Sequence, residues 1–204
     1  MFFEEEIVVI KLENFEVSNF KMAMRGMRMP MNGSELSDST NEKIGPKDLE
    51  LLLKLCKAGP SHRKCLRQIM IIGEITACLK WWDEFDTYLH TVKNSTSQMH
   101  KLGVKTLSSD DFAGNVSPII LTEVNRLITE YQKNKNPKTW RNMIDNIPQS
   151  FLYTRTTMFP YETFLTIYPN RKNHKMEEWK EFCQWGKDNL PYMSNILSTI
   201  GETE

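Results

Sequence analysis

The stretch LRQIMIIGEITAC, residues 66–78, decides the fold class of this chain. Its β-branched residues, four isoleucines and a threonine, predict one long and mostly buried β-strand. A shorter β-rich run predicts another strand over residues 7–12. Most of the other periodic segments have helical spacing. The sequence therefore predicts an α+β fold, a single helix-rich domain over residues 1–204 around a small sheet.

Several local signals mark the predicted helix ends. Asn14 is a predicted cap for the first helix, Gly59-Pro60 a stop for the second, and Ser117-Pro118 a start for a later one. Pro191 is predicted to end the regular part of the chain. Residues 29–46 predict a long polar loop, a kind of segment that is often functional. The predicted helices cover residues 15–27, a segment from Pro46 to Gly59, a segment after Pro118, and residues 161–168 and 174–186.

The charge balance argues against one class of function. Lysine plus arginine and aspartate plus glutamate each number 26, whereas a protein that binds a nucleic-acid polymer usually needs a basic surplus. With 40% hydrophobic and 25% charged residues, a globular protein is expected. The first residues are acidic, unlike a signal peptide, and no apolar run approaches the ~20 residues of a membrane span. We therefore expect a cytoplasmic protein.

The four cysteines and four histidines have no spacing typical of a disulfide framework or a metal site. Reduced thiols and no bound metal are expected. Cys65 is the one cysteine with several basic neighbours, Arg63, Lys64 and Arg67, of the kind that activate a catalytic thiol. Gly-rich phosphate loops, the Rossmann fingerprint and the nucleophile elbow do not occur in the sequence.

Five places concentrate polar residues that suit a small anionic ligand. In the first, Arg25-Gly26-Met27-Arg28, two guanidinium groups beside a glycine suit a phosphate. The alternative is ordinary charge that complements a helix end. The second is the basic segment 61–68, where a loop enters the long strand. A solvated loop is the alternative there.

The third place, residues 81–100, begins with Trp81 and Trp82 and continues with acids, hydroxyls and amides. Hydroxyl and amide groups match the mixed donors and acceptors of a ribose and a pyrimidine edge; a hydrogen-bonded loop is the alternative. The fourth place combines Arg141 with residues 152–155. The fifth, residues 168–174, leads into a helix whose N-terminus favours an anion. For both, a binding role and a structural role stay open.

Taken in order, these places resemble the flavin-dependent thymidylate synthases. The resemblance begins with the early arginine segment at residues 25–28, which precedes a helix, and continues with the turn at residues 57–62 and with Trp81-Trp82 after the long strand. Asn94-Ser95-Thr96-Ser97-Gln98 is similar to the second half of the family motif Ser-x-Asn-Glu-x-Ser-x-Arg. The similarity is one of order and spacing and covers roughly residues 20–183. Its later elements are Pro148, Tyr153-Thr154-Arg155 and the segment from Arg171 through His174 to Glu178.

The resemblance implies a reaction and a set of contacts. The reaction is methylation of dUMP, or of a related pyrimidine nucleotide, at C5, with a folate as carbon donor, FAD as cofactor and NADPH as reductant. The family also implies a homotetramer. The residues implied to bind the nucleotide are Ser97, Gln98, Arg141, Arg155 and Arg171, and those implied to bind the cofactor are His62, Arg63, Arg67, Asn94 and His174.

One departure from the family bears on the cofactor. Where the family has Arg-His-Arg, whose arginines face flavin and nucleotide phosphates, this chain has Glu84, Phe85 and Asp86. Two carboxylates replace two cations and repel a pyrophosphate. Three hypotheses follow: an enzyme that alkylates C5 of a pyrimidine nucleotide, a nucleotide-binding protein with altered or absent catalysis, and a structural or interaction protein on the same scaffold.

Overall fold

The computed structural model of the chain describes residues 10–201, except for the side chains of Gln98 and Met99. Within that range the sheet has four antiparallel strands in the order β1-β2-β4-β3. Helices form most of the remaining regular structure, so the predicted helix-rich α+β fold is confirmed. The strands are β1 Lys11–Ser18, β2 Met70–Cys78, β3 Val92–Ser95 and β4 Leu152–Pro160.

Proline stands in the first turn of three helices, which begin at Pro46, Pro118 and Pro137, where its missing N–H breaks no hydrogen bond. Residues 29–45, between the first two helices, contain two short 3-10 turns, Met29–Met31 and Ser34–Leu36. The helices are α1 Phe20–Arg28, α2 Pro46–Lys57, α3 Leu79–Phe85, α4 Gln98–Lys101, α5 Pro118–Lys133, α6 Pro137–Asp145, α7 Tyr161–Arg171, α8 Glu177–Asn189 and α9 Met193–Gly201. None of the helices described has both the length and the apolar character needed to cross a bilayer.

Strand β2 confirms the prediction from residues 66–78 but starts later, at Met70. Residues before it form a 3-10 turn, Lys64–Arg67. Along β2 the more buried positions alternate, as expected for a pleated strand with one face against the core. Gly73 lies at the strand centre because a Cβ there would stand 2.4 Å from the Phe15 ring.

The start of the chain differs from the prediction. The strand predicted over residues 7–12 is observed as Lys11–Ser18, and residues 1–9 lie outside the described range. The helix predicted from Phe15 begins at Phe20, after Asn19 in the left-handed region at φ 75°. Sheet pairing, which is not a local property of the sequence, overrides the helical spacing of Phe15.

Two elements near the end of the chain were not predicted. Strand β4 occupies Leu152–Pro160, and its threonines and aromatic residues are typical of strands, so the signal was present. Helix α9 follows Pro191, where regular structure was predicted to end. Pro191 begins the turn before α9 and does not prevent a further helix.

The chain is organised as two compact units, and each is described separately. Of the described residues, unit 1 contains 10–13, 74–87 and 93–156, and unit 2 contains 14–73, 88–92 and 157–201. A core cluster of unit 1 comprises Leu102, Leu107, Phe112, Val124, Leu127, Ile128 and Met143. The largest fully buried side chains of unit 2 include Phe20, Leu52, Phe159, Tyr161, Phe164, Trp179 and Phe182.

In unit 2, a buried carboxylate organises the segment between α1 and α2. The side chain of Asp48 is fully buried and accepts hydrogen bonds from Arg28 Nε at 2.5 Å and from the Ser37 and Ser39 hydroxyls at 2.6 Å each. Burial raises the pKa of Asp48, but these hydrogen bonds outweigh it, and the net pKa is lowered. The ionised carboxylate therefore holds residues 37–39 against the start of α2.

Candidate functional site

Unit 1 contains a groove beside β4 with a cavity volume of about 220 Å³. Its apolar wall includes Leu102, Leu107 and Phe151, whereas its polar rim includes hydroxyl groups and the two lysines Lys101 and Lys105. This groove contains Ser97 and Tyr153, both singled out from the sequence. The complete lining is Thr96, Ser97, Lys101, Leu102, Lys105, Leu107, Asp111, Phe151, Leu152, Tyr153 and Thr154.

Hydrogen bonds to β4 position the hydroxyl side of the groove. The Thr96 N–H and hydroxyl both donate to the Thr154 carbonyl, at 3.0 and 3.2 Å. The Thr154 hydroxyl lies 2.7 Å from that of Thr76 on β2. On the opposite wall, the Asn125 side chain accepts from the Leu107 N–H and donates to its carbonyl. The lining is thus held by regular elements on both sides.

The charges of the groove are unequal. Two lysines and one aspartate line it, which leaves one net positive charge. Lys105 lies 3.6 Å from Asp111, but the Lys105 side chain is 72% exposed, so this pair is weak. An apolar wall with hydroxyls and a cationic rim suits a flat ring that carries a phosphate.

A second cluster in unit 1, the Asp86 cluster, joins Asp86 with Arg155 and Lys93. Arg155 Nη1 donates to both carboxylate oxygens of Asp86 at 2.9 Å, and Lys93 Nζ lies 2.7 Å from Oδ1. Burial raises the pKa of Asp86, but hydrogen bonds from Lys93 and Arg155 outweigh it, so the net pKa is lowered. Asp86 is therefore ionised at neutral pH and pairs with both cations, which leaves the cluster with one positive charge.

Aromatic rings hold Arg155 in place. Its guanidinium carbon lies 4.4 Å from the centroid of the Trp82 ring and 4.9 Å from that of Tyr153. Nη2 donates to the Tyr153 hydroxyl. Nε is buried and has no hydrogen-bond acceptor among the described residues. Because Tyr153 also lines the groove, it connects the Asp86 cluster to the groove.

In unit 2, Arg171 and His174 form a separate cluster with two aromatic residues. Arg171 Nε donates to the Tyr88 hydroxyl at 2.8 Å, and its guanidinium carbon lies 4.6 Å from the centroid of the Trp179 ring. His174 Nε2 lies 3.0 Å from Arg171 Nη1, and its Nδ1 accepts from the Met176 N–H at 3.2 Å. Both ring nitrogens thus face donors, although a neutral imidazole has only one acceptor nitrogen.

The other predicted site residues are dispersed. Arg63 is buried and pairs with Glu162, whereas His62 and Arg67 are exposed. Asn94 is exposed on β3, Arg141 pairs with Asp145 on the exposed side of α6, and the Gln98 side chain is outside the described part of the chain. The structure therefore brings Tyr153 and Arg155 together near Ser97, and Arg171 together with His174.

Three cations near these clusters were not selected from the sequence. Lys93 belongs to the Asp86 cluster, and Lys101 and Lys105 line the groove. The two groove lysines stand four residues apart, and the first of them follows the hydroxyl-rich segment 95–97 after three residues, so this spacing was an available signal.

The cysteines are buried and free of disulfides in the described structure. Burial raises the pKa of Cys65 to about 11 and the pKa of Cys56 and Cys183 to about 12. The Cys65 thiol, the one cysteine with several basic neighbours in the sequence, is therefore protonated at neutral pH and unsuited to act as a nucleophile.

Structure comparison shows the fold. Two crystal structures of thymidylate synthase X from Helicobacter pylori, both with FAD and dUMP, superpose with TM-scores of 0.72 and 0.70 at 14% and 13% identity. They cover 94% of this chain each, and 98% and 99% of their own chains. The chain has the fold of the flavin-dependent thymidylate synthases.

A third similar structure is a UMP/dUMP methylase. The UMP/dUMP methylase PolB from Streptomyces cacaoi, bound with 5-Br dUMP, superposes with a TM-score of 0.63 at 12% identity, over 95% of each chain. No protein-family model matches the sequence, and no curated protein matches it either. At these identities the comparisons establish the fold and leave the reaction to be argued from the residues.

The FAD of the Helicobacter pylori structures provides a test of fit for this chain. A pyrophosphate needs cationic donors, and at residues 84–86, which the sequence resemblance matches to Arg-His-Arg, the cations Arg155 and Lys93 are engaged by Asp86. Phe85, in the middle of the segment, is fully buried. The residues at this segment therefore do not fit a flavin pyrophosphate.

Proposed function

We propose that this chain binds a pyrimidine nucleotide, with dUMP as the reference ligand, in the groove of unit 1. The observation that carries the proposal is the combination of an apolar wall, hydroxyl groups and a cationic rim in one cavity. Its 220 Å³ is below the ~300 Å³ at the lower end of typical ligand pockets. The groove therefore suits part of a nucleotide, with the rest at the open rim.

Each part of the nucleotide has a matching surface. Leu102, Leu107 and Phe151 offer apolar contact to the base. Thr96 and Ser97 offer hydroxyls to the ribose or to the base edge, which carry both donors and acceptors. Lys101 and Lys105 offer ammonium groups to the phosphate. The single net positive charge of the groove favours a monophosphate over a di- or triphosphate.

The reaction that we propose first is alkylation of the nucleotide at C5. The fold neighbours support it, because one is a thymidylate synthase and another a UMP/dUMP methylase. A second candidate is nucleotide binding without flavin chemistry, and one observation favours it: Asp86 engages Arg155 and Lys93. Loss of the C5 hydrogen from labelled dUMP, incubated with a methylene-folate, NADPH and added FAD, distinguishes the two candidates.

Ligand binding to the folded state raises the melting temperature, so thermal shift tests the groove. We expect dUMP to raise Tm, and the double variant Lys101→Ala/Lys105→Ala to weaken dUMP binding by roughly 10- to 100-fold, because charge-assisted hydrogen bonds contribute ~1.5–3 kcal/mol. Lys133→Ala/Lys135→Ala removes the same charge from exposed positions of unit 1 and should leave the shift unchanged. Equal losses in both variants would reject the groove as the site.

Arg171 provides an independent test of the family resemblance. If dUMP binds at the cluster of Arg171 and His174, as the resemblance implies, and not in the groove, Arg171→Ala should abolish the dUMP-induced rise in Tm, because a guanidinium is a strong phosphate ligand. The measured quantity is the ligand-induced difference, so loss of the Tyr88 and Trp179 contacts does not by itself produce this result. Lys175→Ala, at an exposed neighbouring position, is the control. An undiminished shift in Arg171→Ala would show that the residue correspondence is wrong.

We also propose that the chain forms a homotetramer, as the resemblance implies. In unit 2, large apolar side chains on α1 and in the residues that follow it are exposed, a feature of surfaces that bind other proteins. Light scattering after size-exclusion chromatography measures the mass, and a monomer would reject this proposal. The exposed side chains are Met22, Met29, Met31 and Leu36.

A further inference from the structure

The Asp86 cluster has a role of its own, which does not depend on nucleotide binding in the groove. We infer that Asp86 is an internal counter-ion, which takes the place of an anionic ligand at Arg155 and Lys93, so that this chain does not hold the pyrophosphate of FAD there. In the fold neighbours from Helicobacter pylori, FAD is bound together with dUMP.

The contacts of Arg155 leave little of its guanidinium group open to an external anion. Nη1 faces both oxygens of Asp86, and Nη2 faces the Tyr153 hydroxyl. Nε is buried, out of reach of a ligand that approaches from solvent. The guanidinium is further held by the ring of Trp82, which is fully buried. An external anion would have to displace Asp86 to reach the Nη1 side of this group.

The formal charges around the Asp86 cluster also do not favour a pyrophosphate. Arg155 and Lys93 contribute two positive charges and Asp86 one negative, so the cluster retains one positive charge. The adjacent helix α3 adds one cation, Lys80, and two carboxylates, Asp83 and Glu84. With them the formal charges sum to zero, so the segment offers no net electrostatic attraction to a pyrophosphate.

The other arginines of unit 1 do not provide an alternative site for a pyrophosphate. Arg126 pairs with Glu123 and Glu130, and Arg141 with Asp145. With Arg155 on Asp86, every arginine in the described residues of unit 1 is therefore engaged by a carboxylate. The remaining lysines include the two at the groove, whose surroundings suit a monophosphate.

Neutralising Asp86 should create an anion site, because its side chain is 40% exposed and the cations behind it become accessible. We expect Asp86→Asn to bind inorganic pyrophosphate and ADP roughly tenfold more tightly than the wild type, measured by calorimetry at low salt. The gain should diminish at high salt, since screening weakens exposed charges. The wild type should purify without flavin absorbance and should bind added FAD no better than free riboflavin.

Three further variants test whether the gain in pyrophosphate affinity comes from the loss of the Asp86 charge. Asp86→Glu keeps the carboxylate and should retain wild-type affinity for pyrophosphate. Asp145→Asn removes an exposed aspartate that also pairs with an arginine in unit 1, and should not change the affinity either. Asp86→Ser is a second neutral variant, and melting curves of all proteins establish that they fold.

Two outcomes would overturn the inference: flavin that copurifies with the wild type, or neutral Asp86 variants that fold but gain no affinity for pyrophosphate. Neither outcome affects the dUMP-induced shift of the wild type, which tests the groove. Conversely, absence of a dUMP shift together with a gain in Asp86→Asn would reject the proposed function and support the counter-ion role. The two proposals therefore fail separately.

Discussion

Replacing Asp48 by alanine is expected to lower the free energy of unfolding by about 3–5 kcal/mol. The Asp48 carboxylate is fully buried, and its removal leaves Arg28, whose side chain is 15% exposed, without its ion-pair partner. The Ser37 and Ser39 hydroxyls lose an acceptor in the same variant. Urea denaturation, followed by circular dichroism, measures the change as a lower midpoint.

The exposed pair Arg141–Asp145 provides the control. Its side chains are 69% and 47% exposed, so Asp145→Ala should change the free energy of unfolding by less than about 0.5 kcal/mol. A loss of that small size in Asp48→Ala would show that the buried carboxylate does not stabilise the segment between α1 and α2. Asp48→Asn keeps a hydrogen-bond acceptor, so its free energy of unfolding should lie between those of the wild type and Asp48→Ala.

The stability difference between the wild type and Asp48→Ala is expected to depend on pH. Because the pKa of Asp48 is lowered in the folded state, its contribution to stability is fully present above its unfolded-state pKa and is lost as the pH falls through its folded-state pKa. The difference in stability between wild type and Asp48→Ala should therefore be constant near neutral pH and narrow in acid. A difference that widens in acid would contradict an ionised Asp48.

The second large effect is expected at the ion pair between Arg63 and Glu162. Arg63 Nε and Nη2 donate to the Glu162 carboxylate at 3.1–3.3 Å, and the side chains are only 10% and 16% exposed. Either single variant, Arg63→Met or Glu162→Gln, leaves a largely buried charge unpaired. We expect each to lower the free energy of unfolding by about 3–5 kcal/mol.

A double variant of Arg63 and Glu162 distinguishes a structural role of Arg63 from the cofactor role that the resemblance implies. If Arg63 serves the ion pair, Arg63→Met/Glu162→Gln should lose much less stability than the sum of the two singles, because neither charge is left alone. Additive losses would show that the partners act independently and would favour the cofactor role implied for Arg63 by the resemblance. Exposed Arg67→Met is the control for loss of a basic residue in the same segment.

Some elements were predictable because their signals are local. The apolar stripe of α5, with Val124, Leu127 and Ile128 buried, follows from helical spacing after Ser117-Pro118. Strand β2 follows from consecutive β-branched residues. The boundaries of β1 and α1 were wrong, because residues 15–18 join a strand whose partners are distant in sequence.

The site was predictable only in part, for a similar reason. Ser97 and Tyr153 were identified by type and order, and they do line one groove. The lysines of that groove were missed, because a lysine after a polar segment is usually a solvated surface residue. From the sequence, Glu84 and Asp86 were expected to repel an anion. That expectation did not include Lys93 and Arg155, two cations that contact Asp86 in the folded chain.

By itself, the sequence determined the α+β class, the long central strand and the order of segments that resembles the flavin-dependent thymidylate synthases. Hydrophobic periodicity and residue order are carried by neighbouring residues, so they can be read without coordinates. Only the tertiary structure decided which charges are paired. Asp86 meets Arg155 across 69 residues, and Arg63 meets Glu162 across 99, because sheet pairing and helix packing bring these distant segments together.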